Sequence, residues 1–474
     1  MQIRRSSLLC ALLAGLGLSS AHAQTMEAAA PLPAARPLDT VIEDHVRIGL
    51  GSNLALQAAA LEVDRSQAAL DAARGRFFPE AALGARYTRA EGGREIELPL
   101  APVLNPVYSS LNDLLAASGQ PAGFPQITNP RFTFQREREQ DTRVSVRQAL
   151  FAPAIPAALR AQRSLLEGSE FARLALAGRL RRDITVGYLD WLRAVRAASI
   201  VDSSRALLAE NLRVTESLLR NGRVTRDQVL RAQAELLAVE QQLGETRSVR
   251  DQLRSYLNFL LNRPLETALE SAEPDDELRR AVADLASLRE LALGNRPELG
   301  QLDRVVSAAG AQVDLARAAR WPRLSLGVDA GIQGERYEFG SGRNFSTVSL
   351  LLDWTLFDGG TRRADVRAAR AVERQARTQR DELAQQVQLE VQQALDRLQT
   401  TAAALRTAEA RADAARAGFR IASRKRDEGA ISQVEFMDAR NALTGAELNL
   451  NATRFELLSR QAELDYATAA TGTR

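Results

Sequence analysis

LFAPAIP (150–156) closes a strand-like run and opens a helical pattern that continues over 157–219 and breaks at RNGRVT (220–225). The same order recurs. LFDGG (356–360) opens a second long helical pattern, which breaks at DEGAIS (427–432). Phe151 recurs as Phe357, 206 positions on, and Gly222 as Gly429, 207 positions on. Two copies of one design, aligned at both ends, indicate a duplicated chain. A third match pairs Phe78-Pro79 with Trp321-Pro322, each ending a helical stretch and opening a strand.

Helix geometry turns these lengths into a shape. At about 1.5 Å per residue, 156–222 spans about 99 Å and 359–429 about 105 Å. No globular core is that long, so the helices must pack side by side as a coiled coil. From Leu383 through Val387, Val391, Leu395 and Leu398 to Ala422, the apolar residues recur about every 3.55 positions, between the straight-helix and heptad periods. The shorter helical patterns fit as returns. Residues 225–262 and 297–320 together match the first long helix; 432–468 and 40–77 together match the second. The second stack joins the two chain ends, so the segment 263–296 and both termini should collect at mid-height.

Between the helices lie strand patterns. Ala81, Leu83, Ala85 and Tyr87 alternate with small or polar residues, and Val144, Val146 and Leu150 oppose Arg143, Ser145 and Arg147. Leu324, Leu326, Val328, Ala330 and Ile332 form one face of a third strand; Val348, Leu350, Leu352, Trp354 and Leu356 form one face of a fourth. This period of two gives each strand one apolar side. Residues 92–130, rich in Gly, Pro, Asn and Ser, read as a long loop. Four strands cannot close a barrel, and an open sheet in lipid would leave unpaired edges. Other chains must complete it; three chains would supply twelve strands. Phe77, Phe78, Trp321, Tyr337, Phe339, Phe345, Trp354 and Phe357 sit near strand ends, where aromatic girdles mark the membrane interfaces.

Composition narrows the function. Residues 1–23 read as a secretory signal: Arg4 and Arg5, an apolar run over 8–18, then Ala21-His22-Ala23. Cys10 falls within it and outside any lipoprotein box, so the mature chain has no cysteine and a single histidine, His45. Disulfides, thiolate sites and His-based metal or catalytic sites are excluded. Catalytic residues, metals and cofactors are therefore not expected, and the chain is not expected to be an enzyme. Without Arg4 and Arg5 the chain carries 60 basic against 59 acidic residues, which gives no argument for nucleic acid. After the signal no run of 18 apolar residues occurs, so a membrane span would have to be a barrel. The chain divides into the signal (1–23), a tether (24–39), a first strand/long-helix repeat (40–262), a mid-height linker (263–296) and a second repeat (297–474).

The exported, duplicated pattern of strands, long helix, Gly turn and helix carries FFPE (77–80), RWPRLSLG (320–327) and DWTLFDGG (353–360) beside its strands. It resembles the TolC-like outer membrane efflux protein family over residues 40–468. The resemblance implies a mainly α fold with a small β part: a long helical coiled-coil barrel in the periplasm and a β-barrel in outer-membrane lipid, completed by a homotrimer. It implies a passive export duct of a tripartite efflux or type I secretion system, fed by an inner-membrane pump through a periplasmic adaptor. The missing lipoprotein cysteine places it with non-lipidated members. By the same resemblance the tips Gly222, Arg223, Val224, Thr225, Gly429, Ala430, Ile431 and Ser432 dock the adaptor. A plain helical hairpin would also use these glycines and caps. Glu435 and Asp438, three apart on one helix face, would line the periplasmic gate; Asp227 and Gln228 are weaker candidates. A periplasmic or surface coiled-coil scaffold or adhesin is the alternative, but a scaffold needs no alternating apolar strands.

Overall fold

The computed structural model describes residues 36–133, 136–272 and 283–470. The signal segment and most of the tether lie outside them, as does part of the mid-height linker. The first half runs α1 (Leu38–Ser52), α2 (Leu54–Gly75), β1 (Glu80–Arg89), β2 (Glu95–Glu97), α3 (Ala101–Ala117), β3 (Arg131–Thr133), β4 (Arg138–Phe151), α4 (Ala154–Arg220) and α5 (Arg226–Leu260). The second half runs α6 (Leu285–Asn295), α7 (Pro297–Ala318), β5 (Arg323–Gly334), β6 (Asn344–Asp353), α8 (Thr361–Asp427) and α9 (Gln433–Thr468). The long helices α4 and α8 each have 67 residues. No helix among the described residues is long and apolar enough to cross a membrane.

The strands form one antiparallel sheet in the order β1-β4-β5-β6. Its register sorts the side chains into two faces. Leu83, Val144, Ala330 and Ser346 stand in one cross-strand row; Ala81, Val146, Val328 and Val348 stand in the next. The opposite face carries Ala82, Ser145, Asp329 and Thr347, then Gly84, Arg143, Gly331 and Phe345. One face is thus apolar and the other polar, with Arg143 paired to Asp141 on the polar side. A bulge between Ala149 and Phe151 alters one expectation: Phe151, not Leu150, comes opposite Leu324. An inserted residue shifts the alternation by one. Within the chain β1 and β6 are edges with one neighbour each.

Packing of the helices follows their apolar stripes. Val41, Ile42 and Val46 of α1 enter a core with Ile184, Tyr188 and Leu192 of α4 and Leu257 and Leu261 at the end of α5. Tyr188, Ile184 and Leu192 are fully buried, each contributing roughly 1.5–3 kcal/mol by area. Along α4, α5 packs in one direction and α7 in the other, as the first stack requires. The second stack differs from expectation. Helix α9 packs along α8, but α1 and α2 lie against α4, because the apolar residues of α1 are drawn into the Tyr188 core. A second core joins α6, α8 and α9 around Val387, Val391 and Leu464.

Mid-height is where the ends meet. Arg296, buried at the start of α7, donates to the carbonyl of Ala467 and pairs with Glu298 and Glu390. Its guanidinium lies 4.9 Å from the ring of Tyr466. Tyr188, halfway along α4, donates to the carbonyl of Glu270, and Arg36 pairs with Glu270.

Two further expectations needed correction. The pattern over 40–77 is two helices, because Asn53 takes an extended ψ of 127°. Its side-chain oxygen accepts from the amides of Ala55 and Leu56, capping α2, while its Nδ2 donates to the carbonyl of Leu260. Ser52 Oγ donates to the carbonyl of Leu261, so the break is tied to the end of α5. The supposed loop 92–130 contains α3 and β2, which pairs with β3 just beyond it. Prolines at 102 and 106 obscured α3; the first falls in the opening turn, where its missing N–H costs nothing.

Asn53→Ala should lower stability by about 1–2 kcal/mol, since it removes both the cap and the tie to α5. Asn53→Asp, which keeps the cap and loses the donor to Leu260, should fall between wild type and Asn53→Ala. Helix content followed against temperature in detergent checks this order; an Asn53→Asp variant as weak as Asn53→Ala would assign the whole effect to the tie.

Candidate functional site

The two helix tips share one backbone geometry. At the end of α4, Gly222 N–H donates to the carbonyl of Leu219 (2.9 Å) and Arg223 N–H to that of Leu218 (2.9 Å). At the end of α8, Gly429 N–H donates to the carbonyl of Arg426 (2.9 Å) and Ala430 N–H to that of Lys425 (2.7 Å). This paired bonding closes a helix through a left-handed residue. Gly222 and Gly429 supply it, with φ of 68° and 71°. A β-carbon at either would meet nothing within 4 Å. Glycine is needed there for the backbone angle alone, and both tips face open space.

The starts of the next helices differ. Ser432 caps α9 through a reciprocal box. Its hydroxyl accepts from Glu435 N–H (3.2 Å), and the Glu435 carboxylate accepts from Ser432 N–H (2.8 Å). Thr225 stands at the same place before α5 but makes no side-chain cap bond. The Ser432 amide and hydroxyl hold the Glu435 carboxyl below its ordinary pKa, so it stays charged through neutral pH. Glu435 and Asp438 are both exposed, side by side on the outer face of α9, as their spacing predicted. Asp227 is exposed and Gln228 half-buried at the head of α5.

Between those acids, Phe436 and Met437 turn inward. They join Val201 and Leu208 of α4 and Val239 and Leu243 of α5 in an apolar cluster beneath the tips. Ile431 packs at its edge, and the rings of Phe419 and Phe436 lie 5.6 Å apart. Two arginines, Arg440 buried and Arg426 half-buried, run through this cluster. Arg426 lies 4.2 Å over the Phe436 ring and donates to Asn211 Oδ1 at 2.5 Å. Arg440 donates to Ser204 Oγ (2.8 Å) and to Glu235 (3.3 Å). Burial depresses the pKa of both guanidiniums, which nonetheless stay charged at neutral pH. Together they tie α8 and α9 to α4 and α5 just behind the turns. Sequence reasoning missed these five polar residues. The available signal was position: Arg440 follows Phe436 and Met437 by four and three, on their inward face.

At the other end of the molecule, the aromatics separate into two groups. Phe78, Trp321, Trp354 and Phe357 are exposed where helices meet strands, and Tyr337 and Phe339 are exposed at the far turn. Phe345 departs from the expected girdle. Register places it on the polar face, with its ring 5.7 Å from the Arg143 guanidinium.

Ser432→Ala should cost about 1 kcal/mol of local stability at α9. Because the Glu435 pKa is depressed on folding, its part of the cap is present above the ordinary carboxylate pKa and lost as pH falls through the lowered one. The protection factors of the first amides of α9, exchange rates taken relative to the intrinsic rate at the same pH, should therefore fall in Ser432→Ala at pH 7 and in wild type at acidic pH.

Residues 288–470 match the family model described as outer membrane efflux protein. The chain is 24% identical over 348 residues to the alkaline protease secretion protein AprF of Pseudomonas aeruginosa, covering 72% of each chain. It is 35% identical over 171 residues to Protein CyaE of Bordetella pertussis, covering 35% of each. The solved Campylobacter jejuni CmeC outer membrane channel superposes with a TM-score of 0.76 at 16% identity, over 91% of this chain and 86% of that one. Family match, relatives and fold agree with the strand, helix and tip pattern: residues 288–470 match the outer membrane efflux protein family, and the chain as a whole has the fold of the TolC-like channels.

Proposed function

We propose that three copies of this chain form an outer-membrane export duct that receives its cargo from an inner-membrane pump through a periplasmic adaptor. The observation that carries this reading is the open four-stranded sheet, apolar on one face and polar on the other. In hydrocarbon the unpaired amides and carbonyls of β1 and β6 would each cost several kcal/mol. Pairing β1 of one copy with β6 of the next removes both edges. Three copies then enclose a lumen lined by Arg86, Asp141, Arg143, Arg147 and Asp329, with the apolar rows turned to lipid. The helices extend this lumen through the periplasm. A surface adhesin is disfavoured, since it would have no use for a two-faced sheet at the end of helices this long.

Adaptor docking is assigned to the tips: Gly222, Arg223, Val224 and Thr225 on one hairpin, and Gly429, Ala430, Ile431 and Ser432 on the other. Their exposure and shared backbone geometry support this, because a repeated, rigid, uncovered surface suits a repeated partner. Glu435 and Asp438 of three copies would surround the periplasmic mouth. A ring of carboxylates favours cations.

Gly222→Asp and Gly429→Asp test the docking role. A β-carbon at a left-handed position costs about 1 kcal/mol, small against the helical cores. Each variant should reach the outer membrane as a normal trimer by native mass measurement and yet fail to export. Full export would remove the docking role, and loss of the trimer would make the turns a folding feature; a monomer with an intact sheet in wild type would remove the duct.

In a planar bilayer the wild-type protein should pass small cation-selective currents. Glu435→Gln with Asp438→Asn should reduce the cation preference severalfold. Unchanged selectivity would place the gate elsewhere.

A further inference from the structure

Helix α3 leaves the sheet from the edge strand β1, at the end away from the long helices, and the chain returns through β4. From Leu98 to Pro130 the only charged residue is Asp113. One side of α3 is bound to its own chain. Asn105 exchanges two hydrogen bonds with the backbone of Ile127 (3.0 and 2.9 Å), and Asn112 does the same with Phe124 (2.7 and 3.0 Å). Tyr108 packs on Phe124, ring centroids 5.6 Å apart. Seven residues separate the two asparagines, so they mark one stripe of the helix.

The opposite stripe is bare. Leu100, Val103, Val107, Ser110, Leu114 and Ala117 follow one another at spacings of three and four. Val103 is 67% exposed and Leu114 68%, and α3 buries no residue at all. Val107 lies two positions past Asn105, about 200° around the helix, which places the bare stripe directly across from the bound one. Spacing of three and four is the seam of a coiled coil, and it calls for another helix. Among the described residues no other helix stands at this end of the sheet.

We infer that α3 packs against α3 of neighbouring copies, so that three such helices form a collar over the outer mouth of the barrel. This rests on the trimer proposed above. The edge position of β1 supports it, because β1 is the strand that must meet the next copy, and α3 is carried on it to the shared rim. The absence of Lys and Arg from α3 argues against a membrane-surface role. Helices that lie on lipid present basic residues on the polar face and a broader apolar one. With Asp113 as the only charge, three copies can approach with little repulsion. The collar would narrow the outer opening and make its width depend on contact between subunits.

Cys10 is the only cysteine in the sequence and lies in the leader, so a thiol placed on α3 would be the only one in the exported protein. The full chain carrying Val107→Cys, in the outer membrane of whole cells, should form a covalent dimer on mild oxidation, seen after heat denaturation. Leu114→Cys, one heptad on, should do the same and serves if Val107→Cys assembles poorly. Ala116→Cys, exposed but about 200° around from Leu114, should remain uncoupled. No dimer from either seam variant, while unheated samples run as trimers, would overturn the collar and leave the assembly standing. The same holds if the seam thiols are shielded from an aqueous maleimide without dimerising, which would place them in lipid, or if Ala116→Cys couples equally well. Absence of any trimer in the unheated wild-type protein would remove the assembly and the collar with it.

Discussion

An unpaired strand edge cannot face hydrocarbon. Each exposed amide or carbonyl there loses its water partners and finds no substitute. Four strands per chain leave two such edges, and the remainder of the molecule accommodates that fact. In the proposed trimer the sheet gains copies of itself on both sides, and the helices that hang from it would be brought around a common axis. The two faces of the sheet, separated by the period-two register, then acquire different solvents. Arg143 and Asp141 pair with each other on the polar face, which in the proposed assembly would enclose water. In the proposed assembly lipid would cover Val348, which is exposed within one chain, and the half-buried Val146 and Val328 beside it.

The helical part solves a different problem. Helices of 67 residues have no globular core to pack against, so their stability comes from contact with shorter partners all along their length. Those partners must stop and start somewhere, and every stop leaves orphaned backbone groups. Most of these ends meet at mid-height. Asn53 caps α2 and holds the end of α5, and Arg296 reaches the end of α9. Charged groups are tolerated there because they arrive partnered: Arg296 pairs with Glu298 and Glu390, and Glu298 also accepts from the neutral Tyr466 hydroxyl.

At the far tips the chain combines rigidity with exposure. Left-handed glycines end both long helices and leave their outer surface bare. Directly behind them, Arg426 and Arg440 cross from one hairpin to the other inside an apolar cluster. Removing one partner from a buried ion or hydrogen-bond pair costs far more than an exposed pair contributes. The two hairpins of one chain are therefore coupled near the proposed docking surface, and the acids on α9 move with them.

Much of this was legible in the sequence because it is periodic. Alternation over Leu324 to Ile332 and recurrence from Leu383 to Ala422 are properties of the backbone repeat, and the glycines of RNGRVT and DEGAIS carry their meaning locally. So the strands, the long helices, the turns and the shared face of Glu435 and Asp438 could be placed without coordinates. What only the tertiary structure decided depends on partners distant in the chain. The break at Asn53 exists because Leu260 offers it a carbonyl, and α1 and α2 lie on α4 because Tyr188 and Ile184 are there to receive them. Helix α3 forms in a stretch of prolines and asparagines because Asn105 and Asn112 find the backbone of Ile127 and Phe124. Arg440 looks like any surface arginine until folding brings Ser204 and Glu235 to it across more than 200 residues. Local patterns reveal periodicity, but a hydrogen bond between distant segments has no local signature, and those bonds are what positioned the interior of the tips.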